Sequence, residues 1–346
     1  MEPVPPPNRD NFETDMPASP ARRRAFCTAL IATSAVAAVP TIATAADYPD
    51  RPITIVVPQP PGGAADAVAR PFGQALSQRL GQPIVIDNRP GANGNIAAAY
   101  VARNQPADGY TIFFGSVSTL AVNPHLYKSA GFDPLKDFQP LTLTNQTPNV
   151  LIVGAQTPYR SVADVIAAAK ARPGELNFGS AGNGNTMHLT GVQFEAQTGT
   201  RLTHVPYKGG PAALNDVIAG QIPMMFHNLS AVLAFQKAGK VRILAVADTK
   251  RSPLVPDVPT MTEAGANGVV QIAWSGMLVR SGTPQPVVDR LVREMQAILK
   301  SPEFRKPQEE QGSEILSSTP AEFEAQLKAD YDTMGKVIKA DNVSID

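Results

Sequence analysis

Cysteine is almost missing: Cys27 is the single thiol in 346 residues. A chain with one thiol can form no internal disulfide and has no cysteine pair to hold a metal. A charge bias is missing too, with 30 basic residues against 30 acidic ones. Such a chain has no basic field to attract nucleic acid or an anionic membrane. Histidine is scarce, with only His125, His188, His204 and His227 and no His-x-x-x-His pair, which argues against a zinc site. Each of the four is better read as a surface or structural residue than as a ligand. The nucleophile turn Gly-x-Ser-x-Gly of α/β hydrolases is absent, because Phe178-Gly-Ser-Ala-Gly182 has Phe in the first glycine position. Neither Gly91-Ala-Asn-Gly94 nor Gly182-Asn-Gly-Asn-Thr186 completes a dinucleotide fingerprint or a P-loop. No general acid–base pair is evident. The expectation is a protein without catalytic residues, cofactor or metal.

The long apolar run is also short. Cys27 to Pro40 falls below the ~20 residues of a membrane span. Arg22-Arg-Arg-Ala-Phe26 precedes it and Ala43-Thr-Ala45 follows, the order of a cleaved export signal. Arg23-Arg24 with Phe26 also resembles a twin-arginine signal, so both export routes stay open. Residues 1–45 are therefore assigned to an export signal with an N-terminal extension, and the mature chain is expected to start at Ala46 or Asp47. Cleavage would remove Cys27, four arginines (Arg9, Arg22, Arg23, Arg24) and four acids (Glu2, Asp10, Glu13, Asp15). Basic and acidic residues remain balanced, no thiol is left, and the periplasm is the expected compartment.

What is present is a βα rhythm. Ile53-Thr-Ile-Val-Val57 reads as a buried strand, Pro58 ends it, and Gly62-Gly63 makes a turn into a helix over 64–80, expected to break near Pro71 and Gly73. A strand, a glycine turn and a helix start form either an ordinary βα turn or an anion site, since the first N–H groups of a helix have no partner within it. Strands at 83–86 and 110–114 and an alanine-rich helix at 95–103 continue the pattern, which predicts a parallel sheet with helices on both faces. Gly115-Ser-Val-Ser-Thr119 follows the third strand, at the end where such sheets bind ligands. Apolar segments 139–144 and 149–153 read as strands leaving the first domain. Ser161 caps a helix ended by Pro173-Gly174. A second βα series follows: a strand at 176–179, the turn Ser180-Ala-Gly-Asn-Gly-Asn-Thr186, a helix at 187–198, a strand at 202–205 and a helix at 211–219. Short strands at 224–226 and 241–247 come next. A return strand at 271–279, an amphipathic helix after Thr283-Pro284 and a capped helix from Thr319 close the chain.

Two turns rich in Gly, Ser, Thr and Asn, one on each half, offer neutral hydrogen bonds. Such bonds to a charged group contribute roughly 1.5–3 kcal/mol each. Three or four, less the cost of closing around the ligand, suffice for the ~8 kcal/mol of micromolar binding.

The ordered set Pro60-Pro-Gly-Gly-Ala-Ala-Asp66, Asp87-Asn-Arg-Pro-Gly-Ala-Asn-Gly94, Pro106-Ala-Asp-Gly-Tyr110, Asn123-Pro-His-Leu-Tyr127, Gly179-Ser-Ala-Gly182, His204-Val-Pro-Tyr-Lys-Gly209 and Ser281-Gly-Thr-Pro284 resembles the Bug family. These are extracytoplasmic solute receptors of tripartite tricarboxylate transporters. The resemblance covers nearly all of the mature chain. It implies a two-lobed α/β fold of the type II periplasmic-binding-protein kind, each lobe a mostly parallel sheet flanked by helices, joined by crossing strands. Lobe 1 is expected at 46–147 and 267–346, and lobe 2 at 148–266. It further implies a non-enzymatic monomer that binds a small organic carboxylate and passes it to permease subunits. Partnership with a sensor kinase is the alternative, and a hydrolase or isomerase on a similar fold is a third. The contacts it implies are Pro61, Gly62, Gly63 and Asp66 in the first loop, with water often bridging to the ligand. The others are Ser116, Ser118, Thr119, Ser180, Gly182, Asn185, Thr186, Tyr207, Gly209 and His227.

Two of these residues carry a further question. Many family members have aspartate where this chain has Pro223 and His227, in Gly220-Gln-Ile-Pro-Met-Met-Phe-His-Asn228. Either a cleft acid has been lost, which favours an anionic ligand over a basic amino acid, or both positions only tune packing. Asp66 is read as a scaffold of its loop, since a carboxylate in the first turn of a helix is favoured by ~0.3–1 kcal/mol. A grip on a ligand ammonium is the rival role.

Overall fold

The computed structural model describes residues 48–340, so the expected export signal at 1–45 lies outside the described residues. The first series runs β1 (Ile53–Val57), α1 (Ala64–Leu80), β2 (Ile84–Asn88), α2 (Asn95–Asn104) and β3 (Thr111–Ser116). A π-helical turn (Ser118–Val122) and the short α3 (Asn123–Leu126) follow. β1 pairs in parallel with both β2 and β3. Ile53, Ile55 and Val57 pack with Phe72 and Leu76 of α1, whereas Val56 packs with Ala97, Ala98 and Val101 of α2. Successive strand residues point to opposite faces, so a strand apolar at every position needs helices on both sides.

The expected break in α1 does not occur, and the helix runs through Pro71. Proline removes the donor for the carbonyl four residues back, here Ala67. Ala67 is exposed, so water can serve that carbonyl, while buried Val68, Phe72 and Leu76 hold the helix to the sheet.

The second series is β4 (Phe138–Gly154), α4 (Val162–Ala171), β5 (Asn177–Ser180), α5 (Thr186–Thr198), β6 (Thr203–Pro206), α6 (Gly210–Ala219), β7 (Met224–Asn228), α7 (Leu229–Lys237) and β8 (Val241–Val246). The chain then returns through β9 (Ile272–Arg280), α8 (Gln285–Lys300), α9 (Pro302–Glu310), β10 (Glu314–Ile315) and α10 (Pro320–Ala340). Ser161 caps α4 in a reciprocal capping box with Asp164.

The segments expected at 139–144 and 149–153 are one 17-residue strand, β4. Its register slips between Pro140 and Thr142 and again between Leu143 and Asn145. Such bulges bend a strand without ending it. From Phe138 to Pro148 it pairs with β9, and from Asn149 to Val153 with β7, both antiparallel. The sheet order is β2-β1-β3-β9-β4-β7-β5-β6, with β8 and β10 also paired to β4. Each end is parallel, β2-β1-β3 and β6-β5-β7, and the strands between them are antiparallel. Leu151 and Val153 of β4 pack with Val162 and Phe194, and Val150 and Ile152 with Ala213 and Val232. This is the two-lobed arrangement expected, with each sheet region covered on both faces.

Candidate ligand-binding site

The loops that leave β1, β3, β5 and β6 surround a cavity of about 500 Å³. Its floor comes from Asn145 and Thr147 of β4 and from Ala273, Trp274 and Ser275 of β9. Trp274 is the chain's single tryptophan, and its indole N–H donates to Asp330 Oδ2 at 2.6 Å.

The loop after β1 is held by one buried carboxylate. Asp66 is 3 % exposed. Its Oδ2 accepts from the Gly62 N–H at 3.0 Å and from Arg70 Nε at 2.8 Å, and its Oδ1 accepts from Asn88 Nδ2 at 2.9 Å. Burial pushes this carboxyl up, but those donors outweigh it and hold it below the usual carboxylate range. Gly62 has φ +79°, a conformation that favours glycine. Gln59 Oε1 accepts from the Ala65 N–H at 3.1 Å, and the Gly63 N–H donates to Pro60 O at 3.2 Å. The Ala64 N–H, at the start of α1, takes no acceptor among the described residues.

The loop after β5 is held by neutral groups. Ser180 Oγ donates to Gly182 O at 2.8 Å and accepts from the Gly182 N–H at 3.1 Å, with His204 Nε2 at 2.6 Å. Asn185 caps α5 by accepting from the His188 N–H at 3.0 Å. His188 Nδ1 accepts from the Gly184 N–H at 3.1 Å, and its ring stacks on His204 with centroids 4.0 Å apart. Burial pushes His188 down to about 4, and burial with the neighbouring imidazole pushes His204 down to about 3. Ser118 Oγ accepts from the Thr186 N–H at 3.2 Å, so the turn after β3 touches the start of α5 across the cleft.

A third wall is the turn Pro90–Gly94. Ala92 and Asn93 both have positive φ, at +44° and +50°. Non-glycine residues rarely adopt this conformation, and it persists where the surroundings fix it. Here Thr119 Oγ1 and Asn123 Nδ2 both donate to Asn93 O, at 3.1 and 2.9 Å.

Of the residues expected to bind ligand, Ser116, Ser118, Thr119, Gly182, Asn185, Thr186, Tyr207 and Gly209 line this cavity. Gly62, Gly63 and His227 line a neighbouring cavity of about 240 Å³. Pro61, Asp66 and Ser180 line neither; Pro61 is exposed, and the other two are buried beneath their loops. His227 is 2 % exposed and its Nδ1 accepts from the Asn228 N–H at 2.7 Å. Burial pushes it down to about 4, so it is a neutral group near pH 7. Tyr207 donates to Asp216 Oδ2 at 2.7 Å; burial and this bond push its phenol up to about 12.

Sequence reasoning missed Gln59, Asn93, Asn145, Trp274, Asn228, Ser230 and Lys208 as lining residues. For Lys208 the signal was present in Pro206-Tyr-Lys-Gly209. It is exposed, and among the described residues it is the only charged one in the lining. Helices α1, α6 and α7 start at this cavity or the neighbouring one, and their cap residues Gly63, Gly209 and Asn228 make no side-chain capping bond. Unsatisfied N–H groups at helix starts carry partial positive charge. The arrangement can hold an anion by neutral donors, with one cation at the edge.

These features define a solute-binding protein of two lobes, and comparison with known proteins agrees. The model of the tripartite tricarboxylate transporter family receptor matches residues 68–343. Protein BugT of Bordetella pertussis is 35 % identical, over 84 % of this chain and 88 % of its own. Rpa4515 of R. palustris, solved with adipate, superposes with a TM-score of 0.83 at 38 % identity, over 86 % of this chain and 99 % of its own. MatC (Rpa3494) of Rhodopseudomonas palustris, solved with malate, gives 0.80 at 29 % identity, over 84 % and 100 %. The chain belongs to the tripartite tricarboxylate transporter receptor family, as the motifs implied. Its family and structural neighbours are periplasmic solute-binding proteins rather than enzymes. No helix among the described residues is long and apolar enough to cross a membrane.

Proposed function

We propose that this chain is an exported receptor that captures a small organic carboxylate between its lobes and delivers it to the permease of a tripartite tricarboxylate transporter. The observation that carries the reading is the meeting of helix starts at a cleft where the Ala64 N–H takes no acceptor and where, among the described residues, Lys208 is the only charged lining residue. A carboxylate would satisfy the Ala64 N–H and meets no acid in the lining of the cleft among the described residues. The relatives solved with adipate and malate support that ligand class. Residues 46–147 with 267–346 form one lobe and 148–266 the other, a division supported by the change of partner along β4 after Pro148. Ser116, Ser118, Thr119, Gly182, Asn185, Thr186, Tyr207 and Gly209 make the ligand contacts, joined by the Ala64 N–H and Lys208. Residues 1–45 direct export and are removed. The receptor acts as a monomer and turns nothing over.

Mass spectrometry of ligand copurifying from the periplasm, followed by titration of carboxylic acids with Trp274 fluorescence as the readout, tests this. A carboxylate recovered unchanged, and stabilising by ~2.7 kcal/mol at a hundred times its Kd, is the expected result. Binding of amines or sugars with no response to any carboxylate overturns it, and so does conversion of the ligand to a product.

A further inference from the structure

The smaller cavity adjoins the larger one, and the two share Ala64 and Ser230 in their walls. Both residues stand in the first turn of their helices, α1 and α7. A carboxylate held at the Ala64 N–H would therefore lie at the junction, with about 240 Å³ open on its far side. A space of roughly 150 Å³ accepts benzene, so a substituent of that bulk fits. The walls come from α1 and the turn between α9 and β10 on one side, and from α6 and α7 on the other.

This lining is polar, yet among the described residues it carries no charged side chain. Two of its residues, Gln308 and Ser313, are buried, at 7 % and 4 % exposure. Their backbones are engaged locally: Gln308 O accepts from the Gln311 and Ser313 N–H groups, both at 3.1 Å. Their side chains make no hydrogen bond among the described residues. Neither polar end is sealed off, and the open side is the cavity that both residues line. A buried amide or hydroxyl without a partner is costly, and most such groups in folded proteins have one. His227 does not serve them, because its Nδ1 accepts from the Asn228 N–H and its opposite edge packs on Gly210. Amides and hydroxyls both donate and accept, so the group matched to them does the same. A carboxamide does. A second carboxylate only accepts, and would give up its hydration with no cation to meet. A hydrocarbon end would leave Gln308 and Ser313 unpaired. Resting on the carboxylate reading above, we propose that the smaller cavity is a subsite for an uncharged end of the ligand that both donates and accepts hydrogen bonds, a carboxamide above all. Gln308 and Ser313 are its specificity-determining residues.

The test varies that end at constant shape. Glutaramate, glutarate and 5-methylhexanoate share one chain and end in a carboxamide, a carboxylate and an isopropyl group. Succinamate, succinate and 4-methylpentanoate repeat the series one methylene shorter. Affinities are measured by calorimetry for the native chain, Gln308→Leu and Ser313→Ala, with thermal melts to check folding. In at least one series the native chain should bind the carboxamide about tenfold or more tighter than either companion, because each companion leaves buried donors or acceptors unmet. Gln308→Leu keeps similar bulk without the amide, so it should remove most of that preference. Its melting temperature should hold or rise, since the amide it removes had no partner in the fold. Ser313→Ala should lower the preference about threefold. A native chain that prefers the carboxamide in neither series overturns the subsite and leaves the carboxylate reading standing. So does a preference that survives Gln308→Leu, or that survives Ser313→Ala should Gln308→Leu fail to fold. A Gln308→Leu chain that melts lower and weakens every probe alike also overturns it, since the amide would then serve the fold. A chain that binds no probe, nor any other carboxylate, overturns both.

Discussion

The loops after β1 and β5 are built alike, each a strand, a glycine turn and a helix start beside the same cleft, yet they are held by different chemistry. The first is tied by the ionised Asp66, which accepts from Gly62, Arg70 and Asn88. The second is tied by Ser180, Asn185 and two stacked imidazoles that carry no charge near pH 7. A carboxylate takes several donors and ranks among the strong acceptors. Its removal strands every donor at once. A set of neutral bonds spreads the same task over weaker links, and it fails when the imidazoles gain charge. The two lips of the cleft should therefore respond differently to mutation and to acid.

The largest effect is expected at Asp66. Asp66→Ala leaves the Gly62 N–H and one of the two Asn88 amide N–H groups without an acceptor, the other still donating to Gln59 O, and should cost about 2–4 kcal/mol of stability with at least tenfold in affinity. Asp66→Asn keeps one acceptor oxygen where the native group uses two, so it should lose about half as much stability and retain most binding. Denaturant melts and ligand titration of both variants check this. Equal, severe losses of affinity would instead mean that the charge itself grips a ligand ammonium.

Acid should separate the loops next. Burial depresses His188 and His204 from 6.5 to about 4 and about 3. The unfolded chain then takes up protons that the native state refuses, so stability is full above pH 6.5 and declines as pH falls towards those lower values. At pH 5 each depressed imidazole should cost on the order of 2 kcal/mol. His227, also depressed to about 4, adds to the same decline on the β7 side of the fold. Asp66 works in a lower window, since its folded pKa lies below the ordinary 3.8, and its contribution persists until pH falls through that range. Hydrogen exchange at pH 5 should show residues 180–188 opening while residues 59–66 stay protected. Simultaneous opening of both would remove the distinction.

How much of this was legible follows from the kind of signal each region carries. β1 and β3 are buried at nearly every position and have apolar centres, and the first βα units could be read because both faces of their sheet are covered. The glycine turns stood out, as did the capping pair Ser161 and Asp164. α7 was missed because it begins directly after β7, with no turn residues between Asn228 and Leu229. α9 was missed: it carries Pro302 at its start, where proline is tolerated, and Pro307 within it, so its sequence has little of the look of a helix. In the site, the loops were visible but the floor was not. Asn145, Thr147, Trp274 and Ser275 meet only because β4 and β9 run antiparallel across the middle of the sheet, and no local pattern announces that pairing.

A smaller effect is expected at Ser180. It is fully buried and lines neither cavity, so Ser180→Ala removes neutral bonds to Gly182 and His204 rather than a ligand contact. A neutral bond is worth about 1 kcal/mol net. Ser180→Ala should therefore lower stability by about that amount and loosen binding only a few-fold, well short of Asp66→Ala. A loss of a hundredfold or more, measured by calorimetry with the fold intact, would put Ser180 in direct contact with ligand.

The smallest effect is expected at Lys208, which belongs to neither loop and tests whether the neutral donors carry the affinity. Its ammonium is exposed beside the cleft, where water and salt screen it. Exposed ion pairs contribute roughly 0.2–1 kcal/mol, so Lys208→Gln should weaken binding by no more than about fivefold. The loss should be greater for a dianion such as succinate than for a monoanion such as butyrate, because the Coulomb attraction scales with ligand charge. It should also shrink when salt is raised from 0.01 to 0.5 M, as the Debye length falls from about 30 Å to a few ångströms. Titrations of both acids at both salt concentrations decide the matter. A hundredfold loss that persists in high salt would mean that Lys208 folds over the bound carboxylate and makes a buried ion pair. The affinity would then rest on one cation rather than on the helix starts, and the contrast between the two loops would matter for stability alone.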